Sequence, residues 1–119
     1  MKNNFNFTPD WISGFTQTDG SFTISFEKRK VGILYRPSPV FSLSQTRLEE
    51  DMFIALQKHL GVGTVYKNRE AVTFVVKSIE HLVSTVLPLF DNSPLRGGKL
   101  ESYLKFRKVV LLMKDKKHL

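Results

Sequence analysis

Trp11-Ile-Ser-Gly-Phe-Thr-Gln-Thr-Asp-Gly20 reads as a helix that closes on an acidic residue. Thr8 followed by Pro9 makes an N-cap and a first-turn proline, and Gly20 is the permissive residue that often ends a helix. The spacing therefore predicts a helix over 9–19. The carbonyls at its C-terminal end carry partial negative charge, so a carboxylate among them is unfavourable by roughly 0.3–1 kcal/mol unless a cation or donor stands beside it. Asp19 needs a partner. A metal ion reverses the sign of the interaction, whereas a structural reading has Asp19 capping a neighbouring helix or pairing with a lysine. The same helix holds Gly14 in its interior, at about 1 kcal/mol against alanine, with Thr18 one turn later on the same face. Small residues at that spacing admit a second backbone, while Trp11, Ile12 and Phe15 form a bulky face suited to a core. A helix with two packing duties belongs at an interface.

The rest of the chain bounds the answer. Its 119 residues, 41% hydrophobic with ten phenylalanines, can bury one core, so a single domain over 1–119 is expected. No apolar run approaches the roughly 20 residues that cross a bilayer, and the start Met1-Lys-Asn-Asn-Phe lacks a secretion signal. An intracellular protein with no membrane partner is expected. The absence of cysteine excludes disulfides, thiolate nucleophiles and zinc ribbons, leaving a metal only oxygen ligands or three scattered histidines. His59, His81 and His118 share no ligand spacing. Eighteen Lys and Arg against eleven Asp and Glu give a net charge of +7, which suits a polyanion such as nucleic acid but also fits a merely soluble basic protein.

Periodicity orders the elements. Ser21 to Arg29 alternate, with Phe22, Ile24 and Phe26 on one face, and Tyr35 to Gln45 resume the pattern after a turn near Gly32, with Phe41 and Leu43 inward. Pro37 and Pro39 predict an edge or an irregularity at the start of that second strand. Leu48 to Leu60 reads as an amphipathic helix on Met52, Ile54, Leu56 and Leu60, stopped by Gly61. Strands over 64–67 and 71–76 form a hairpin through Asn68, Arg69 and Glu70. A helix over 78–86, a loop with Pro88 and Pro94, and a long basic helix over 98–114 complete an α+β chain with an antiparallel sheet. No second copy of the opening helix occurs in it.

Ile12-Ser-Gly-Phe-Thr-Gln-Thr-Asp-Gly20 resembles the nine residues that name the LAGLIDADG homing endonucleases, matching at Gly14, Asp19 and Gly20 and departing from the acidic-then-small pattern at Gln17 and Thr18. Gly61-Val-Gly63 and Asp91-Asn-Ser-Pro-Leu95 with Lys99 and Tyr103 are similar to segments of the fungal and algal organellar members. The resemblance covers nearly the whole chain. It implies the αββαββα fold with a saddle-shaped sheet, and two motif helices packed at their small residues, here Gly14 and Thr18. It also implies paired carboxylates at a Mg²⁺ centre formed by Asp19 and Gly20. One motif copy implies a homodimer, and a symmetric dimer implies a long pseudo-palindromic DNA duplex cut in both strands. Such proteins are intron-encoded, which places this one in a mitochondrion or chloroplast if organellar and otherwise in a prokaryotic cytoplasm. The alternatives on the same fold are an RNA-splicing maturase or a DNA-binding protein that does not cleave. Met113 to Leu119 looks like the start of a linker to a second half.

Lys99 sits near a helix N-terminus, where the dipole gives it nothing. It either stabilises charge in the active site, as the resemblance implies, or solvates the helix start. Gln45, at a strand end, matches a polar position near the family's catalytic centre and serves equally as a structural pairing residue. The outward sheet face presents Ser25, Glu27, Arg29, Arg36, Ser38, Ser42, Tyr66, Asn68, Arg69, Thr73 and Lys77. Its bland reading is a solvated face. Its mixture of donors, acceptors and cations, set beside the motif, favours reading base edges in the major groove.

Overall fold

The Thr8 hydroxyl accepts the Trp11 N–H at 3.1 Å with Pro9 in the first turn, and α1 (Pro9–Asp19) ends at the expected residue. The computed structural model describes residues 5–28 and 35–116. Gly20 then enters the first strand with an extended backbone, φ −91°. Glycine is required there by close approach and not by a left-handed cap: a Cβ would stand 2.4 Å from Thr16 Cγ2 and 2.8 Å from the Thr16 carbonyl oxygen. The Thr16 hydroxyl is itself tied back to the Ile12 carbonyl at 2.7 Å.

Strands β1 (Gly20–Lys28), β2 (Tyr35–Thr46), β3 (Thr64–Lys67) and β4 (Ala71–Val76) form one antiparallel sheet in the order β1-β2-β4-β3. β2 pairs with β4 only from Phe41 onward, so Pro37 and Pro39 stand where β2 has β1 on one side and no β4 partner on the other. A missing N–H is tolerated at such an edge. Arg29 and the turn expected near Gly32 lie outside the described residues, as do His118 and the end of the linker-like segment.

Two expected boundaries move. Leu48, expected as the first residue of the helix, lies in a 3₁₀ turn (Arg47–Glu49) and is 92% exposed, while α2 (Glu50–Leu60) buries Met52, Phe53 and Leu56. Gly61 ends α2 in the left-handed region at φ 75°. The larger correction concerns residues 78–92. α3 (Ile79–His81), a π turn (Leu82–Val86) and α4 (Leu87–Asn92) make one continuous helix, so Pro88 is helical and not in a loop. Proline lacks an N–H and its ring strikes the carbonyl four residues back. The wider π turn, whose Leu87 N–H bonds the Leu82 carbonyl, loosens the ladder immediately before Pro88 and lets the helix continue to Phe90. α5 (Gly97–Lys116) is the last element.

Alternation along each strand sends one face to the helices. Phe22, Phe41, Leu43, Val72, Phe74 and Val76 join Ile12, Phe53, Leu56, Leu82, Phe90, Tyr103 and Phe106 in one apolar cluster. Phe22 is central, with the rings of Phe41, Phe90, Tyr103 and Phe106 at 5.2, 5.4, 5.3 and 5.1 Å. The contact with Phe41 lies within the sheet, and the other three, each about 0.5–1.5 kcal/mol beyond area burial, lock the sheet to α4 and α5. Among the described residues no helix packs on the opposite face.

Candidate metal centre and nucleic-acid surface

The circumference of α1 divides into three stripes. Ile12 and Thr16 enter the core. Asp10, Ser13 and Gln17, on an adjoining stripe, meet the segment between α4 and α5. Ser93 Oγ donates to Asp10 Oδ1 at 2.9 Å, and Ser13 Oγ donates to the Pro94 carbonyl at 3.5 Å. The Gln17 amide donates to the Arg96 carbonyl at 3.0 Å and accepts the Arg96 N–H at 2.9 Å. The third stripe, Trp11, Gly14 and Thr18, is exposed, and a Cβ built on Gly14 meets nothing within 4 Å. Trp11, expected in the core, instead lies stacked on Phe15 with 5.3 Å between rings and stays 37% exposed.

At the C-terminal end, Asp19 is half-buried and Thr18 Oγ1 donates to its Oδ2 at 3.2 Å. Among the described residues no cation lies within ion-pair distance of it, so the capping and lysine-pairing readings are not realised there. The Lys99 ammonium reaches the neighbouring backbone instead, donating to the Gly20 carbonyl at 2.5 Å across 79 residues of sequence. Lys99, Asp19 and Gly20 are therefore brought together. Gln45 lies half-buried on the helix-packed face of β2, opposite Val72 and two residues past the partner of Gly20. Its side-chain oxygen accepts the Thr46 N–H at 3.4 Å, a local structural use. Among the described residues no three His, Asp or Glu side chains converge. The oxygen donors one chain offers at this point are the Asp19 carboxylate and the Gly20 carbonyl, whose second lone pair is not needed by Lys99. Hard oxygen donors suit Mg²⁺ or Ca²⁺, and two of them make a partial site.

The outer sheet face is rich in hydroxyls. Strand register aligns Ser21, Ser42, Val75 and Thr64 in one row, Ser44, Thr73 and Tyr66 in the next, and Ser25 with Ser38 further out. Ser44 Oγ and Thr73 Oγ1 share a hydrogen bond at 3.0 Å, and Ser25 Oγ donates to the Ser38 carbonyl at 3.4 Å. Ser44, Ser21 and Thr64 belong to this face by the same alternation and complete the predicted set. Glu27 and Arg36 are placed only as backbone partners across β1 and β2. Arg69 and Lys77 are exposed at the hairpin tip and after β4. Asn68 differs from expectation: its Oδ1 accepts the Glu70 and Ala71 N–H groups at 2.9 and 2.8 Å, so that oxygen closes the turn and is not presented outward. Lys67 is also withdrawn, paired with Glu50 at 2.7 Å on the helix side.

Behind the centre, Asp91 accepts Tyr103 Oη at 2.7 Å and both Arg107 Nε and Nη2 at 3.0 Å. Burial opposes ionisation of Asp91, but the hydrogen bonds from Arg107 and Tyr103 outweigh it and hold the carboxyl below its ordinary range. Burial and the bond to Asp91 push the Tyr103 hydroxyl up. Tyr103, read from the sequence as a motif match, is thus a strut between α4 and α5, also reaching the Leu87 carbonyl.

A family model described as LAGLIDADG endonuclease matches residues 12–110. The chain is 47% identical over 116 residues to the probable intron-encoded DNA endonuclease 1 of Mycosarcoma maydis, covering 97% of this chain and 42% of that protein. Among solved structures, the LAGLIDADG homing endonuclease I-SmaMI bound to cleaved DNA superposes with a TM-score of 0.85 at 28% identity, over 98% of this chain and 40% of that one. I-SmaMI bound to uncleaved DNA with calcium ions superposes at 0.84 and 29%, over 95% and 40%. The chain therefore spans less than half the length of these relatives. No helix of the described residues is long and apolar enough to cross a membrane.

Proposed function

Since this chain belongs to the LAGLIDADG endonuclease family, we propose that it forms half of a divalent-metal-dependent, site-specific DNA endonuclease, two copies meeting through α1 and cutting both strands of a long pseudo-palindromic duplex. The observation that carries this reading is the end of α1. An Asp19 with no ion-pair partner among the described residues, a Gly20 carbonyl and Lys99 gather beside a stripe of Trp11, Gly14 and Thr18 that stands exposed. Two such ends brought together supply two carboxylates and two carbonyls.

In this arrangement Asp19 and Gly20 would hold Mg²⁺, which would supply charge neutralisation at the phosphate and lower the pKa of a nearby water. Lys99 places its positive charge where negative charge develops on the scissile group. Gln45, half-buried two residues past the partner of Gly20, orients water near the same point. The outer face gives the duplex its register. Ser25, Ser38, Ser42, Tyr66 and Thr73 offer hydroxyls to base edges, while Arg29, Arg36, Arg69 and Lys77 neutralise phosphates. Glu27 is an acceptor for a cytosine amine. The likeness to I-SmaMI on uncleaved DNA in the presence of calcium ions supports a divalent ion for this fold, and Mg²⁺ is the ion proposed here. Because the Mycosarcoma maydis relative is more than twice as long, the second motif helix can also come from further residues of a longer chain. The compartment proposed is the organelle or cytoplasm that carries the intron.

The test is Asp19→Asn. Incubated with Mg²⁺ and a plasmid library read for double-strand ends, the wild type should cut at a recurrent site. Asp19→Asn should bind that site and not cut it, since the amide keeps the shape and loses the charge that holds the ion. Equal cutting by both proteins refutes the centre. Binding without cutting by the wild type, with or without chelator, supports the maturase or binding-only alternatives.

A further inference from the structure

We propose that Gln17 is a positioning residue for Lys99, acting through the backbone of Arg96. The inference rests on the role given to Lys99 above.

The geometry is a closed loop. The Gln17 amide lies alongside the Arg96 peptide groups as a neighbouring strand would, one bond each way at 3.0 and 2.9 Å. Arg96 is the residue from which α5 starts: its carbonyl also accepts the Leu100 N–H at 3.2 Å, and Gly97 turns the chain at φ 58°. Lys99 follows within the first helical turn and returns its ammonium to Gly20, three residues beyond Gln17. Residues 17–20 and 96–99 are thus joined at both ends. A lysine side chain has four rotatable bonds and gives up roughly 2 kcal/mol of rotamer freedom when fixed. The accuracy of its head group depends on how firmly its Cα is anchored.

Gln17 supplies that anchor where the first turn of a helix would leave Arg96 to solvent. A carboxylate in its place would accept the Arg96 N–H but repel the Arg96 carbonyl; the amide satisfies both. The Asp10–Ser93 and Ser13–Pro94 bonds hold the same segment further back, Tyr103 and Phe106 fix the body of α5 further on, and Gln17 holds the residue between them from which Lys99 is launched.

The experiment is a double-mutant cycle on single-turnover cleavage with saturating DNA, using Gln17→Leu, Lys99→Ala and the pair. Gln17→Leu should slow the cutting step by about tenfold or more and change DNA affinity less than about twofold. The pair should be no slower than Lys99→Ala alone, because a residue that acts only through Lys99 has nothing left to position. Independent losses that multiply, or a loss confined to DNA affinity, overturn the proposal.

A second readout does not depend on cleavage. Trace acetylation followed by mass spectrometry should find Lys99 severalfold more reactive in Gln17→Leu than in the wild type, and an unchanged reactivity overturns the proposal. If the wild type cuts no DNA, the endonuclease reading fails while the acetylation result still decides whether Gln17 holds Lys99. Should Gln17→Leu lose its fold, Gln17→Glu, which keeps the length and one of the two bonds, takes its place in both measurements.

Discussion

Alanine at Gly14 should raise the stability of the isolated chain and lower its activity. The two signs come from the two environments of one position. Within the folded chain a Cβ at Gly14 meets no atom within 4 Å, so the methyl group costs nothing in packing. Glycine in a helix interior is about 0.5–1 kcal/mol worse than alanine, and relieving that should raise the melting temperature by about 2–4 °C for a domain of this size. If a second α1 packs on the stripe of Trp11, Gly14 and Thr18, each copy pushes its methyl into the point of closest approach. Overpacking of about 1–3 kcal/mol then weakens association by roughly tenfold to a hundredfold. Thermal unfolding at submicromolar concentration reads the first effect, and sedimentation with and without DNA reads the second. A Gly14→Ala protein that is stabilised yet associates and cuts as the wild type does would make the stripe plain solvent surface and refute the pairing. A destabilised one would refute the exposed setting of Gly14 itself.

Asp91 should shape the acid limb of stability. Its folded-state pKa lies below the ordinary 3.8, so its contribution is present above that value and is lost as pH falls through the lower folded value. Urea midpoints of the wild type should drop on acidification below about pH 4, and Asp91→Asn, weaker at neutral pH, should lack that portion of the slope; identical slopes would contradict the network. Lys77→Ala should reduce the salt dependence of DNA binding by about one phosphate's worth, read from affinities across a salt series, with little change in sequence preference. An unchanged slope removes Lys77 from the phosphate-tracking edge.

Local chemistry made much of this legible in advance. The Thr8–Pro9 start, the alternation of β1 and the hairpin at 68–70 each follow from residues adjacent in sequence, and their bounds agree closely with the structure. Where a distant partner decides, sequence reading fails. Pro88 looked like a break because a proline ring obstructs an ordinary ladder, and only the π turn before it, held by packing of Leu82, Val86 and Phe90, removes the obstruction. Leu48 reads as the start of the second helix, but a 3₁₀ turn precedes α2 and leaves Leu48 exposed. At the centre, Asp19, Gly20 and Lys99 were legible through the motif. The embrace of Arg96 by Gln17 was not, because no periodicity links residues 79 apart.

That separation gives the centre a position in time as well as in space. Gln17, Asp19 and Gly20 leave the ribosome before Arg96 and Lys99, which follow some 79 residues later, at about 5–20 residues per second. The early portion carries the carboxylate and the open helix stripe but lacks both the cation and the clasp that fixes it. Long-range closure is slow relative to helix or hairpin formation. A nascent or truncated chain ending before α5 therefore holds Asp19 and Gly20 without Lys99, and the proposed centre would be assembled only when α5 docks.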